Sequence, residues 1–94
     1  MSYTLEQIEE AMEIAADMDA DVFIKDTSHR ARYTKPRKAM FFLMVRQGYP
    51  RRDIAKHYGV GEGAVYHKRI EVDHISDPQI RRLIYEAERI LKNG

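Results

Sequence analysis

Eight residues, Arg51 to Tyr58, stand between Pro50 and Gly59, and this spacing constrains the fold more than any other feature of the chain. Proline suits the first turn of a helix, where its missing N–H costs nothing, and glycine suits the left-handed residue that ends one. Gly48 closes the preceding segment and Gly59-Val60-Gly61 opens the next, so a short helix is fenced in by turns on both sides. Ile54, Ala55 and Tyr58 fall on its inner face, and Val60 and Val65 follow at distances that let them close a shared core. Two short helices that cross steeply need a small residue at the approach, here Ala55, and a turn residue that tolerates positive φ, here Gly59. The unit Arg51–Ile70 therefore reads as a helix-turn-helix, with one departure. Three residues after Val65, where an aliphatic side chain is expected, stands Lys68.

The flanks keep the same 3.6-residue period, and none alternates as a strand would. Thr4 and Gln7 have capping-box spacing ahead of Leu5, Ile8, Met12 and Ala15, which predicts a first helix over about 5–17. A short second helix is expected over Ala20–Lys25, with Asp19 as cap and Val22, Phe23 and Ile24 as core. Asp26–Lys35 has no apolar period and reads as a basic loop. Pro36 then opens a third helix that carries Met40, Leu43 and Met44 to Gly48. A fifth helix is expected from Glu62 to about Ile75, burying Val65, Val72 and Ile75. Asp77-Pro78 gives a cap-plus-first-position signal for a last amphipathic helix over Asp77–Lys92. At 94 residues, 44% of them hydrophobic, the fold class is all-α, a bundle of about six helices in one domain, 1–94.

Charge points to function. The net +1 conceals seven acids and no Lys or Arg in 1–24, twelve bases against three acids in 25–69, and near balance thereafter. A net +9 around the helix-turn-helix is an electrostatic footprint for a polyanion, since each cation placed at a phosphate releases counterion. In a helix-turn-helix the second helix enters the major groove with its first turn and outward face. That nominates Glu62, Gly63, Tyr66 and His67, with Arg69 toward a backbone, Lys68 beside it with its stem along the core edge, and Arg51 and Arg52 at the start of the first helix. Glu62 reads either as an acceptor for a cytosine amino group or as a helix N-terminal charge. With Gly61 and Gly63 in that first turn, few side chains are left to read bases. A basic loop over His29–Lys38 supplies Arg30, Arg32, Lys35, Arg37 and Lys38 for the phosphate backbone or a narrow minor groove.

Chemistry of other kinds finds little footing. The chain has no cysteine, and His29, His57, His67 and His74 lack metal-ligand spacing. His67 and His74, seven apart, would stand about 10 Å apart along a helix. Gly59–Gly63 lacks the Gly-Lys-Ser/Thr ending of a phosphate loop. No enzyme activity, cofactor, metal or small-molecule substrate is expected. No targeting or membrane-spanning segment is read either, which fits a cytoplasmic protein, nucleoid-associated in a bacterial or phage setting. The expected partner is double-stranded DNA, and a homodimer or a larger replication or transcription complex stays open. The alternative is an adaptor that keeps the fold without DNA binding and docks through its acidic first helix.

The order of parts resembles the C-terminal DNA-binding domain of the bacterial replication initiator DnaA, within the Trp-repressor-like helix-turn-helix group. The likeness spans about Leu5 to Leu91 and is carried by Asp21-Val-Phe-Ile24, by Lys35-Pro36-Arg37-Lys38-Ala39-Met40, and by Ile54-Ala-Lys-His-Tyr-Gly59. The resemblance implies a basic loop at the minor groove, Arg37 on a phosphate or base near the major groove, and a role in replication or transcription control. Where that family opens its recognition helix with Asp-His-Thr-Thr, this chain has Gly61-Glu62-Gly63-Ala64 after a turn one residue shorter. Its base-reading side chains are therefore not carried over.

Overall fold

The computed structural model describes residues 3–25, 30–66, 71–72 and 76–93. Six helices are assigned among them and no strand: α1 Leu5–Ala16, α2 Ala20–Lys25, α3 Ala31–Arg46, α4 Arg51–Tyr58, α5 Glu62–Val65 and α6 Pro78–Asn93. The radius of gyration, 11.9 Å, matches the value of about 12 Å for a folded chain of this length. The protein is an all-α bundle.

The helix ends show why these elements form where they do. At the start of α1 the Thr4 hydroxyl accepts from the Gln7 N–H at 3.0 Å, and the Gln7 side chain accepts from the Thr4 N–H at 2.9 Å. Both arms of the capping box are thus made, satisfying two otherwise orphaned donors. Asp17 ends α1 in the left-handed region at φ 54°, the one non-glycine with positive φ among the described residues. Asp19, expected to cap α2 with its side chain, does so only through its backbone. The carboxylate that binds the α2 N-terminus is that of Glu13, which accepts from the Ala20 N–H at 2.8 Å. Asp77 caps α6, accepting from Gln79 N–H at 2.9 Å and Ile80 N–H at 3.3 Å, as the Asp-Pro signal predicts.

Helix α3 is the axis of the bundle and touches α1, α2, α4, α5 and α6. Met40, Phe41, Leu43 and Met44 of α3 are buried with Ile8 and Met12 of α1, Phe23 of α2, Ile54 of α4, Val65 of α5 and Ile80 of α6. Two residues expected inside lie outside: Val22 is 44% exposed and Val72 is 59% exposed. In a six-residue helix, Phe23 and Ile24 already fill the buried side, which turns Val22 to solvent. Ile75 lies outside the described residues.

The largest correction concerns the basic loop. From Ala31 onward it is helix: α3 starts five residues before Pro36, with Tyr33 and Thr34 N–H both bonding the Arg30 carbonyl. Pro36 sits inside α3 and is buried. Its ring removes one helical hydrogen bond. Burial of the ring against the core and an anchor on Lys35 oppose that loss. The Lys35 ammonium lies 3.2 Å from the Asp77 carboxylate and also donates to the Gln79 side chain, tying the first turns of α3 to the cap of α6. His29 lies outside the described residues.

Candidate nucleic-acid interface

Helix α4 follows Pro50, whose carbonyl accepts from Asp53 and Ile54. It ends at Gly59, with φ 67° and ψ 35°, where the Gly59 and Val60 N–H groups both return to the Ala55 carbonyl. That closure needs a left-handed residue, and a side chain there is strained whatever space surrounds it. The chain then passes Val60 and Gly61 into α5. Ile54, Ala55 and Val65 are buried together, with Tyr58 and Val60 packed partly against them. The shared core read from the sequence is therefore built as expected.

Tyr58 joins this unit to the rest of the bundle. Its ring meets Phe41 of α3 at 5.7 Å, tilted by 59°, and His57 edge-on at 4.7 Å. The hydroxyl is buried. Burial first, then the carboxylates of Glu9, Glu6 and Glu13 on α1, push its ionisation far above the usual phenol range. The acidic first helix thus faces the back of the helix-turn-helix.

The second helix is shorter than expected. Helix α5 runs for four residues, and Tyr66 is extended at φ −157° and ψ 134°, so the continuous helix to Ile75 is not formed. Gly61 offers no side-chain cap and Gly63 weakens the turn by about 1 kcal/mol relative to alanine. A single turn also fixes many dihedrals for few hydrogen bonds. Tyr66, nominated to meet DNA, donates to the Glu71 carboxylate at 2.8 Å, and that bond raises the pKa of its phenol. His67, Lys68 and Arg69 lie outside the described residues, as does Ile70 at the end of the predicted motif.

What α5 presents is Glu62, Gly63 and Ala64, all exposed. A Cβ added at Gly63 would meet open space, so a surface can approach the backbone closely there. Glu62 is engaged across the turn with Arg51 at 3.5 Å, each side chain about half exposed. Arg52 and Lys56, one helical turn apart on α4, are exposed. Lys56 was not among the residues nominated from the sequence, although its i, i+4 relation to Arg52 was there to be read.

The cations of α3 do not share one surface, because a helix turns about 100° per residue. Lys35 and Arg37, two residues apart, leave the axis about 200° apart. Arg30, Thr34, Arg37 and Phe41 follow a helical stripe, with Lys38 beside it, and Phe41 places that stripe toward α4. Arg37 and Lys38 are half-buried there. Lys35 points the other way, to α6. Arg32 lies exposed over the Tyr33 ring at 5.6 Å and lines a groove between α1, α3 and α6. Of the five basic residues nominated together, three remain with the helix-turn-helix side and two do not.

No protein-family model, curated protein or solved structure matches this chain. Among the described residues no group of three or more His, Asp or Glu is placed to hold a metal ion. Also among them, no helix is long and apolar enough to cross a membrane.

Proposed function

We propose that the protein binds double-stranded DNA, with α4 and α5 at the major groove and the Arg30–Arg37–Lys38 side of α3 on the phosphate backbone. One observation carries this reading. The Ile54–Ala55–Val65 core closes around the left-handed Gly59 turn and leaves Glu62–Ala64, Arg52 and Lys56 outward. Nothing in α5 offers a long uncommitted side chain to a base edge, so contacts to phosphate dominate and sequence discrimination is weak. A role in transcription control or replication follows from the resemblance to the DnaA domain.

Fluorescence anisotropy with a random-sequence duplex at several salt concentrations tests the reading, beside an Arg30/Arg37/Lys38→Ala variant. Binding weakens steeply with salt, and the variant binds less tightly with a slope reduced by about one for each phosphate contact removed. A folded protein that fails to bind even at low salt overturns the proposal. A second reading, an adaptor docking through the acidic α1 without DNA, is favoured by Ile14, which stands 60% exposed on that helix.

A further inference from the structure

The exposed Ile14 borders a groove of about 770 Å3 formed by the end of α1, the start of α3 and one side of α6. Its floor is apolar, made by Met18, Pro36, Leu83 and Ile90. Its charges are divided. Lys35 is held by Asp77 and Arg89 by Glu86, at 3.2 and 2.7 Å. That leaves Arg32 and Arg82 on the rim, both exposed, Arg82 one helical turn from the Glu86 carboxylate that Arg89 holds. Asp17 lines the same groove at the end of α1, and the surface continues past Ile14 onto Asp19; both carboxylates are exposed. One end is therefore basic, the other acidic, and an exposed isoleucine lies between them.

Such a surface is complementary to itself. Turned through a two-fold axis that passes between Ile14 and the apolar floor, its acidic end lies over the basic end of a copy and each isoleucine lies over the floor of the other. A purely acidic partner would be repelled by Asp17 and Asp19, and a purely basic one by Arg32 and Arg82. A closed two-fold interface pairs each residue with its counterpart in this reciprocal way. We infer that the groove is a self-association face, in which Ile14 of each copy seats on the apolar floor of the other and Asp17 and Asp19 face Arg32 and Arg82 of the other. The inference does not rest on DNA binding, since the α4–α5 unit takes no part in it.

Sedimentation velocity of the full chain from about 1 μM to about 1 mM tests it. A monomer–dimer equilibrium that weakens with added salt is expected. Ile14→Glu and the Arg32→Glu/Arg82→Glu pair each raise the dissociation constant at least about tenfold, whereas Arg81→Glu, on α6 outside the groove, leaves it unchanged. Helical circular dichroism establishes that each variant is folded; all four positions are exposed. A monomer at every concentration overturns the inference and leaves the groove to a foreign partner. A dimer that survives Ile14→Glu, or that Arg81→Glu weakens equally, overturns it by placing the contact elsewhere.

Discussion

Helices α5 and α6 are opposites in construction. Helix α6 has sixteen residues, a side-chain cap on two backbone donors, and Ile80, Ile84 and Ala87 buried on one stripe. Helix α5 has four residues, a glycine in place of a capping side chain, a second glycine inside, and Val65 as its only buried residue. Most helical stability comes from tertiary packing of an apolar face, and α5 has almost none to offer. The part of the molecule proposed to read DNA is thus held from beneath by one side chain and a turn. The part proposed to meet a second copy is built on the best-anchored helix. Local opening follows this order, cheapest where buried contacts are fewest.

Substitutions at four positions break or sharpen the contrast. Ile80→Ala empties a site that is 1% exposed and costs about 2–5 kcal/mol in denaturant unfolding with the m-value unchanged. A loss below about 1 kcal/mol would mean that α6 is no better anchored than α5. Gly59→Ala costs about 1–2 kcal/mol purely through the left-handed backbone, because a Cβ there meets nothing within 4 Å. Gly59→Asn recovers part of the loss if that account is right.

Asp77→Ala costs about 1 kcal/mol at neutral pH. Burial works against the Asp77 charge, but the Ile80 N–H, the Lys35 ammonium and the Gln79 N–H outweigh it and hold the carboxyl below its ordinary range. A lowered folded-state pKa means that the carboxylate contributes fully above the unfolded value near 4 and loses its contribution as pH falls through the folded value. The stability gap between wild type and Asp77→Ala therefore closes in acid; a gap independent of pH would rule out the ionised cap. The smallest effect is a gain: Gly63→Ala stabilises by about 0.5–1 kcal/mol, since its Cβ meets open space and helix propensity improves. A loss there would show that the α5 backbone is already constrained by its surroundings.

Local rules made much of this legible. Thr4–Gln7, Gly59 and Asp77 mark their helix ends as read, and Ile54, Ala55 and Val65 are buried as their spacing requires. The readings that failed depended on distant partners. Pro36 resembles a helix start, but α3 extends five residues further because Lys35 finds Asp77. The Arg51–Glu62 ion pair across the turn is likewise beyond what local spacing shows. Helical period also could not tell that the basic cluster, once helical, must divide between two sides of α3.

The hydrogen bond from Lys35 to Gln79 spans 44 residues of sequence. Synthesis runs from the N-terminus, so α1, α2 and α3 leave the ribosome before the helix that covers them. Until α6 follows, Ile8, Met12 and Leu43 have no complete shelter and the opening turns of α3 lack their anchor. Closure over such a separation is slow compared with forming a single helix, and apolar surface stays open in the interval. The nascent chain is therefore most exposed to aggregation or proteolysis just before its last helix emerges, and a shortened product ending ahead of Pro78 would remain in that state.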